Sequence, residues 1–166
     1  MRARLVIGLA LGLALTGTLV GPACSPAAEP QQGAVRPASD AVVTINGQPV
    51  EVEIARTARE QERGLGYRDA LAWNDGMLFV YEKPALHRFW MKGMRFDIDI
   101  VWIRSDRIID ISHRVPHVPG GNGPTVQPRE LADSVLEVPA GYALSHGWRI
   151  GNRVEVEPQQ AASAPR

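Results

Sequence analysis

The chain has 166 residues, is 45% hydrophobic and 22% charged, and balances 18 Lys and Arg against 18 Asp and Glu for a formal net charge of +0. That balance excludes a bulk electrostatic attraction to nucleic acid, which calls for a basic excess or a basic stripe. A single cysteine, Cys24, excludes an intrachain disulfide, so the folded part must be stable through its core alone.

Residues 1–28 have the pattern of an export signal: Arg2 and Arg4, then an apolar run from Leu5 to Val20, then the small residues of GPACSPAA. The apolar run is shorter than the roughly 20 residues a membrane span needs. Cys24 after Ala23 stands where a lipoprotein cysteine would, whereas Gly21 and Pro22 fit that pattern badly; cleavage after Ala23, Ala27 or Ala28 is the alternative. The expected address is the periplasm, free or as a lipoprotein attached to the membrane through Cys24. Residues 29–40 and 158–166 are rich in Pro, Gln, Ala and Ser and are expected to be a tether and a tail. Residues 41–157 remain as one domain with one core.

In that domain, Val42 to Ile45 and Val50 to Ile54 flank Asn46-Gly47, a strong hairpin signal. Thr57 and Glu60 form a capping box that starts a short helix over Ala58 to Arg63, ended by Gly64 and Gly66. Short strands are expected over Leu78 to Tyr81, Arg88 to Met91, Asp97 to Ile103, Arg107 to Ile111, Ser134 to Val138 and Arg153 to Val156. Glu82-Lys83-Pro84 breaks the first of these, and a helical turn is expected within Ala140 to His146. Residues 112–128 are expected to be a long loop, of the kind that is usually functional or disordered. Strands this short and this close predict an antiparallel meander.

The order of Arg63-Gly64-Leu65, Gly76-Met77-Leu78-Phe79, Phe89-Trp90-Met91-Lys92, Asp99-Ile100, Leu136-Glu137 with Gly141, and Ile150-Gly151 resembles domain-of-unknown-function family 192 over residues 42–156. The resemblance implies a mostly β (α+β), compact, antiparallel, barrel-like single domain with one or two short helices, and implies no activity. Three positions depart from the family pattern: Gly66 replaces a Met, Gly93 replaces an Asn, and Asp97 replaces a Pro. Loss of the Asn at 93 removes a hydrogen-bonding amide or only changes a turn.

Trp90 and Lys92 share a strand face. An aromatic plane beside a cation is a floor for a sugar or another polar, anionic ligand, with Arg63, Arg68, Asp99 and Glu137 as further contacts. The plainer alternative packs Trp90 in the core, pairs Lys92 with Asp99 or Glu137, and leaves Arg63 and Arg68 as helix-end cations. His113 and His117 are four apart, but Pro116 breaks the helix that would align them; with His87, His146, Asp97 and Asp99 scattered, no metal site or cofactor is assigned. Met77, Met91 and Met94 are expected to fill the core beside aromatic rings. No catalytic residue is assigned, although Ser112-His113, Ser145-His146 and the carboxylates Asp97, Asp99 and Glu137 leave a hydrolase as an alternative. The expected function is a ligand-binding or accessory module of the bacterial envelope. The alternatives are a hydrolase of envelope polymers and a protein–protein adaptor.

Overall fold

Local sequence signals organise residues 39–159, the part of the chain that the computed structural model describes. In chain order the elements are β1 (Ala41–Ile45), β2 (Gln48–Ala55), α1 (Ala58–Arg63), β3 (Asp75–Ala85), β4 (Phe89–Trp90), β5 (Ile98–Arg104), β6 (Arg107–Val115), β7 (Thr125–Val126), β8 (Ala132–Pro139), α2 (Tyr142–Ser145) and β9 (Val154–Pro158). The expected export signal, Cys24, and most of the expected tether and tail lie outside the described residues. The domain takes in the inner ends of both flanks: the Asp40 carboxylate accepts from the Ile54 amide at 2.8 Å, and Pro158 pairs with Ala41.

Asn46 and Gly47 both adopt positive φ and join β1 to β2 with Ile45 opposite Gln48, as a two-residue hairpin turn requires. Thr57 accepts from the Glu60 amide at 3.3 Å while Glu60 accepts from the Arg56 and Thr57 amides at 2.9 and 2.8 Å, so the capping box is complete. A Thr57→Ala variant is expected to lose about 1 kcal/mol in a denaturant titration. A loss near zero would show that α1 is held by its neighbours instead.

The main sheet has the order β6-β5-β8-β3-β2-β1-β9, with β4 and β7 forming a separate two-stranded piece. This corrects the meander. β2 and β3 are parallel, because the α1 segment crosses over between them, and β8 inserts between β3 and β5. Neither arrangement has a local signal. Pro84 does not end β3; the strand continues to Ala85 across a register shift after Val80, where a residue without an N–H is tolerated. Nor is 112–128 all loop: β6 runs to Val115, and β7 pairs with β4.

Right-handed twist curls the sheet until its edges approach, giving a half-barrel. The Ile108 amide donates to Asn152 O at 3.0 Å and the Val154 amide to Asp106 O at 2.8 Å. Both faces are covered. Val43, Val52, Leu78, Val101, Leu136, Tyr142 and Trp148 fill the inner core, and Met77, Phe79, Phe89, Ile98, Ile100, Trp102 and Val135 form an outer one. Along Met77 to Phe79 of β3, Ile98 to Ile103 of β5 and Val135 to Val138 of β8, strand alternation therefore assigns each residue to one of two buried layers.

Candidate functional site

Met77 on β3 and Ile100 on β5 both lie opposite Glu137 of β8, so this carboxyl projects into the outer layer between two apolar neighbours. Phe79 and Tyr81 follow Met77 at period two on the same face. Over them lie α1, the turn after it, and β4. The turn and the segment after β4 touch closely: the Tyr67 amide donates to Gly93 O at 2.8 Å, and a Cβ on Gly66 would sit 3.0 Å from Arg63 O and 3.4 Å from Lys92 O. Gly93 has φ +72, a region Asn and Gly share, and a Cβ there would meet the Tyr67 ring at 2.9 Å. The departure at 93 thus reads as a turn that makes room for Tyr67.

Between the layers lies a cavity of about 200 Å³. Its buried lining includes Phe79, Phe89 and Glu137; its exposed lining includes Arg63, Arg88, Trp90 and Lys92. Trp90 is 54% exposed, which corrects the alternative that packs it in the core. Lys92 is exposed and has no ion pair among the described residues, so its expected pairing with Asp99 or Glu137 is absent. Methionines 77, 91 and 94 are buried in the outer core.

Glu137 is 6% exposed, and its Oε2 has no hydrogen-bond partner among the described residues. Burial pushes its carboxyl up to about 8, and the Arg68 cation opposes that only in part. At neutral pH the group is therefore mostly a neutral hydrogen-bond donor. Tyr81, also lining the cavity, is raised to about 12 by burial and then by the Glu137 charge. Arg68 stands beside this chamber but is committed to Glu53 through two hydrogen bonds, one of them 2.7 Å from Nη2 to Oε2.

Of the six sequence candidates, Arg63, Trp90, Lys92 and Glu137 line one cavity, and Arg68 acts on it from outside. Asp99 is a correction. It lies on the inner face, is fully buried, and accepts from the Arg114, Gly141 and Ala143 amides at 2.7, 3.0 and 2.9 Å. It pins the bulge at Arg114, whose φ is 47, and the start of α2, and has no reach to the cavity. Asp97 pairs with His117 instead, its Oδ1 2.6 Å from Nδ1; that hydrogen bond holds the Asp97 carboxyl below its usual range. The three carboxylates of the hydrolase alternative thus do not converge. His87 stacks on Tyr81 at 3.6 Å, and His146 packs on Tyr142 at 4.1 Å. Among the described residues no group of three or more His, Cys, Asp or Glu is placed to hold a metal ion.

Tyr81, Arg88 and Phe89 were not among the candidates from sequence. Tyr81 carried one usable signal, the period-two step from Met77 and Phe79; Arg88 and Phe89 carried only their place in the basic, aromatic run from His87 to Lys92.

Residues 41–156 match the family model DUF192, described as "Uncharacterized ACR". The chain belongs to this family. Two solved structures are similar to the DUF192 domain described here. A protein of Sinorhizobium meliloti 1021, described as a candidate transcription regulator, is 28% identical, with a TM-score of 0.65, over 72% of this chain and 95% of that one. A protein of unknown function from Novosphingobium aromaticivorans DSM 12444 is 29% identical, with a TM-score of 0.64, over 80% of this chain and 94% of that one. They share the mostly β half-barrel. No curated protein matches the chain.

Proposed function

We propose that this DUF192 domain is a binding module of the bacterial envelope that takes a small polar or anionic ligand into the cavity beneath Trp90 and Lys92. The observation that carries this is the Glu137 carboxyl, buried at the floor of an open chamber with an oxygen that no group among the described residues satisfies. Buried polar atoms in folded proteins are nearly always paired, and a ligand acceptor would complete this one. Arg63, Arg88 and Lys92 at the mouth favour negative charge, and the half-exposed indole of Trp90 gives a flat apolar contact. Export is supported by the signal pattern of residues 1–28, and membrane attachment by Cys24.

One observation favours the hydrolase reading: a buried carboxyl titrating near 8 has the character of a general acid. Asp97 and Asp99 are held elsewhere, and the other carboxylate lining this chamber, Glu62, is an exposed residue of α1 rather than a buried partner of Glu137, so binding is the better account.

The test is a thermal-shift screen of the full-length protein against envelope sugars, peptidoglycan fragments and nucleotides, followed by Lys92→Ala. Because Lys92 is exposed and has no ion-pair partner to orphan among the described residues, the variant's midpoint should stay within about 1 °C of the parent, while affinity for a hit falls at least tenfold. A large loss of stability with unchanged affinity would refute a ligand role for Lys92.

A further inference from the structure

A second chamber of about 240 Å³ opens beside the first. The two share four lining residues, Glu62, Arg63, Trp90 and Lys92. The outer chamber adds Arg59 from α1 and Tyr67, whose ring is 66% exposed. Each chamber has the volume of about seven or eight waters, room for one sugar-sized ring. They form one groove of two compartments that meet at the shared residues, Trp90 and Lys92 among them, with room for one ring in each.

The chemistry of the lining narrows the occupant. Trp90 and Tyr67 offer aromatic faces at the shared wall and in the outer chamber, where the apolar face of a pyranose ring can lie. Arg59, Arg63 and Lys92 outnumber the one carboxylate there, Glu62, so the outer ring should carry negative charge. The inner chamber ends on a buried carboxyl oxygen suited to a hydroxyl or ring oxygen. Single-stranded nucleic acid also binds to aromatic and cationic grooves, but it brings a charge with every unit, and this chain offers no net positive field to meet it.

Building on the binding role proposed above, we infer that the ligand is an acidic glycan of at least two pyranose units. One ring sits over Glu137, and the next, bearing a carboxylate, lies between Tyr67 and Arg59 beyond the shared Trp90 and Lys92.

The experiment is a calorimetric titration of the full-length protein with uronic acid oligomers of one, two and four units, a neutral glucose oligomer, and an eight-nucleotide thymidine strand. The dimer should bind at least tenfold more tightly than the monomer and the neutral oligomer. Arg59→Ala, exposed on α1, and Tyr67→Asn, chosen because Asn tolerates the φ of 65 found there, should each weaken the dimer at least fivefold. Equal affinity for monomer and dimer, with Lys92→Ala still weakening both, would overturn the two-ring groove and leave the binding role standing. Binding of the thymidine strand alone would overturn the glycan in favour of nucleic acid. Silence from every probe, with the protein folded, would sink the groove and the binding role together.

Discussion

Glu137→Gln should raise stability at pH 8 by about 4 kcal/mol and leave it nearly unchanged near pH 4.5. The folded-state carboxyl titrates near 8 against an ordinary 4.5, so between those values the folded protein holds a proton that the unfolded chain has released. Stability from this group is fully present below about pH 4.5, declines as pH rises, and levels off above about pH 8. Gln keeps the shape of the neutral acid and cannot ionise. His87 works the other way in part of the same window, because burial lowers its affinity for a proton. Subtracting the parent's curve from the variant's isolates Glu137. Glu60 and Asp97, both lowered, act below this window. The check is a set of urea titrations from pH 4.5 to 8.5. A difference that does not grow with pH would mean that Glu137 is ionised and solvated in the folded protein, and the unsatisfied carboxyl at the cavity floor would disappear with it.

Asp99→Ala should cost on the order of 4 kcal/mol, with the melting midpoint down by more than about 10 °C. Removing the carboxylate orphans three backbone donors at once, at Arg114, Gly141 and Ala143, two of them in buried hydrogen bonds. It also releases Arg114 from the left-handed conformation that Asp99 stabilises. Asp99→Asn, which keeps one acceptor, should fall between the parent and the alanine variant. Ligand affinity of the folded fraction should not change, because Asp99 faces the inner core. A loss below about 1 kcal/mol would show that water takes over those amides; a selective loss of binding would return Asp99 to the site.

The contrast between these two carboxylates shows how far the sequence could be read. Asn46-Gly47 and the Thr57–Glu60 box act over a few residues, so the hairpin and α1 are legible. The mostly β fold follows from short apolar runs and from the family resemblance. The parallel pairing of β2 with β3 and the insertion of β8 beside β3 depend on contacts distant in the chain, which alternation does not encode. Glu137 and Asp99 each stand in an apolar strand, and alternation places each on a face. It does not say what covers that face, because both sides of this sheet are buried. Trp90 illustrates the same gap: an aromatic in a short apolar segment suggests core, but in β4 it is Phe89 that turns inward and Trp90 that is left at the surface.

The pairing of β1 with β9 has a consequence for the birth of the molecule. The first strand of the domain finds its second neighbour only when the last strand has been made, and the edges of the sheet meet at that same late strand. Sheets closed by such distant partners fold slowly, because the chain must surrender the freedom of a long loop before contact rewards it. A nascent copy lacking residues 154–158 would hold an open, unpaired β1 edge.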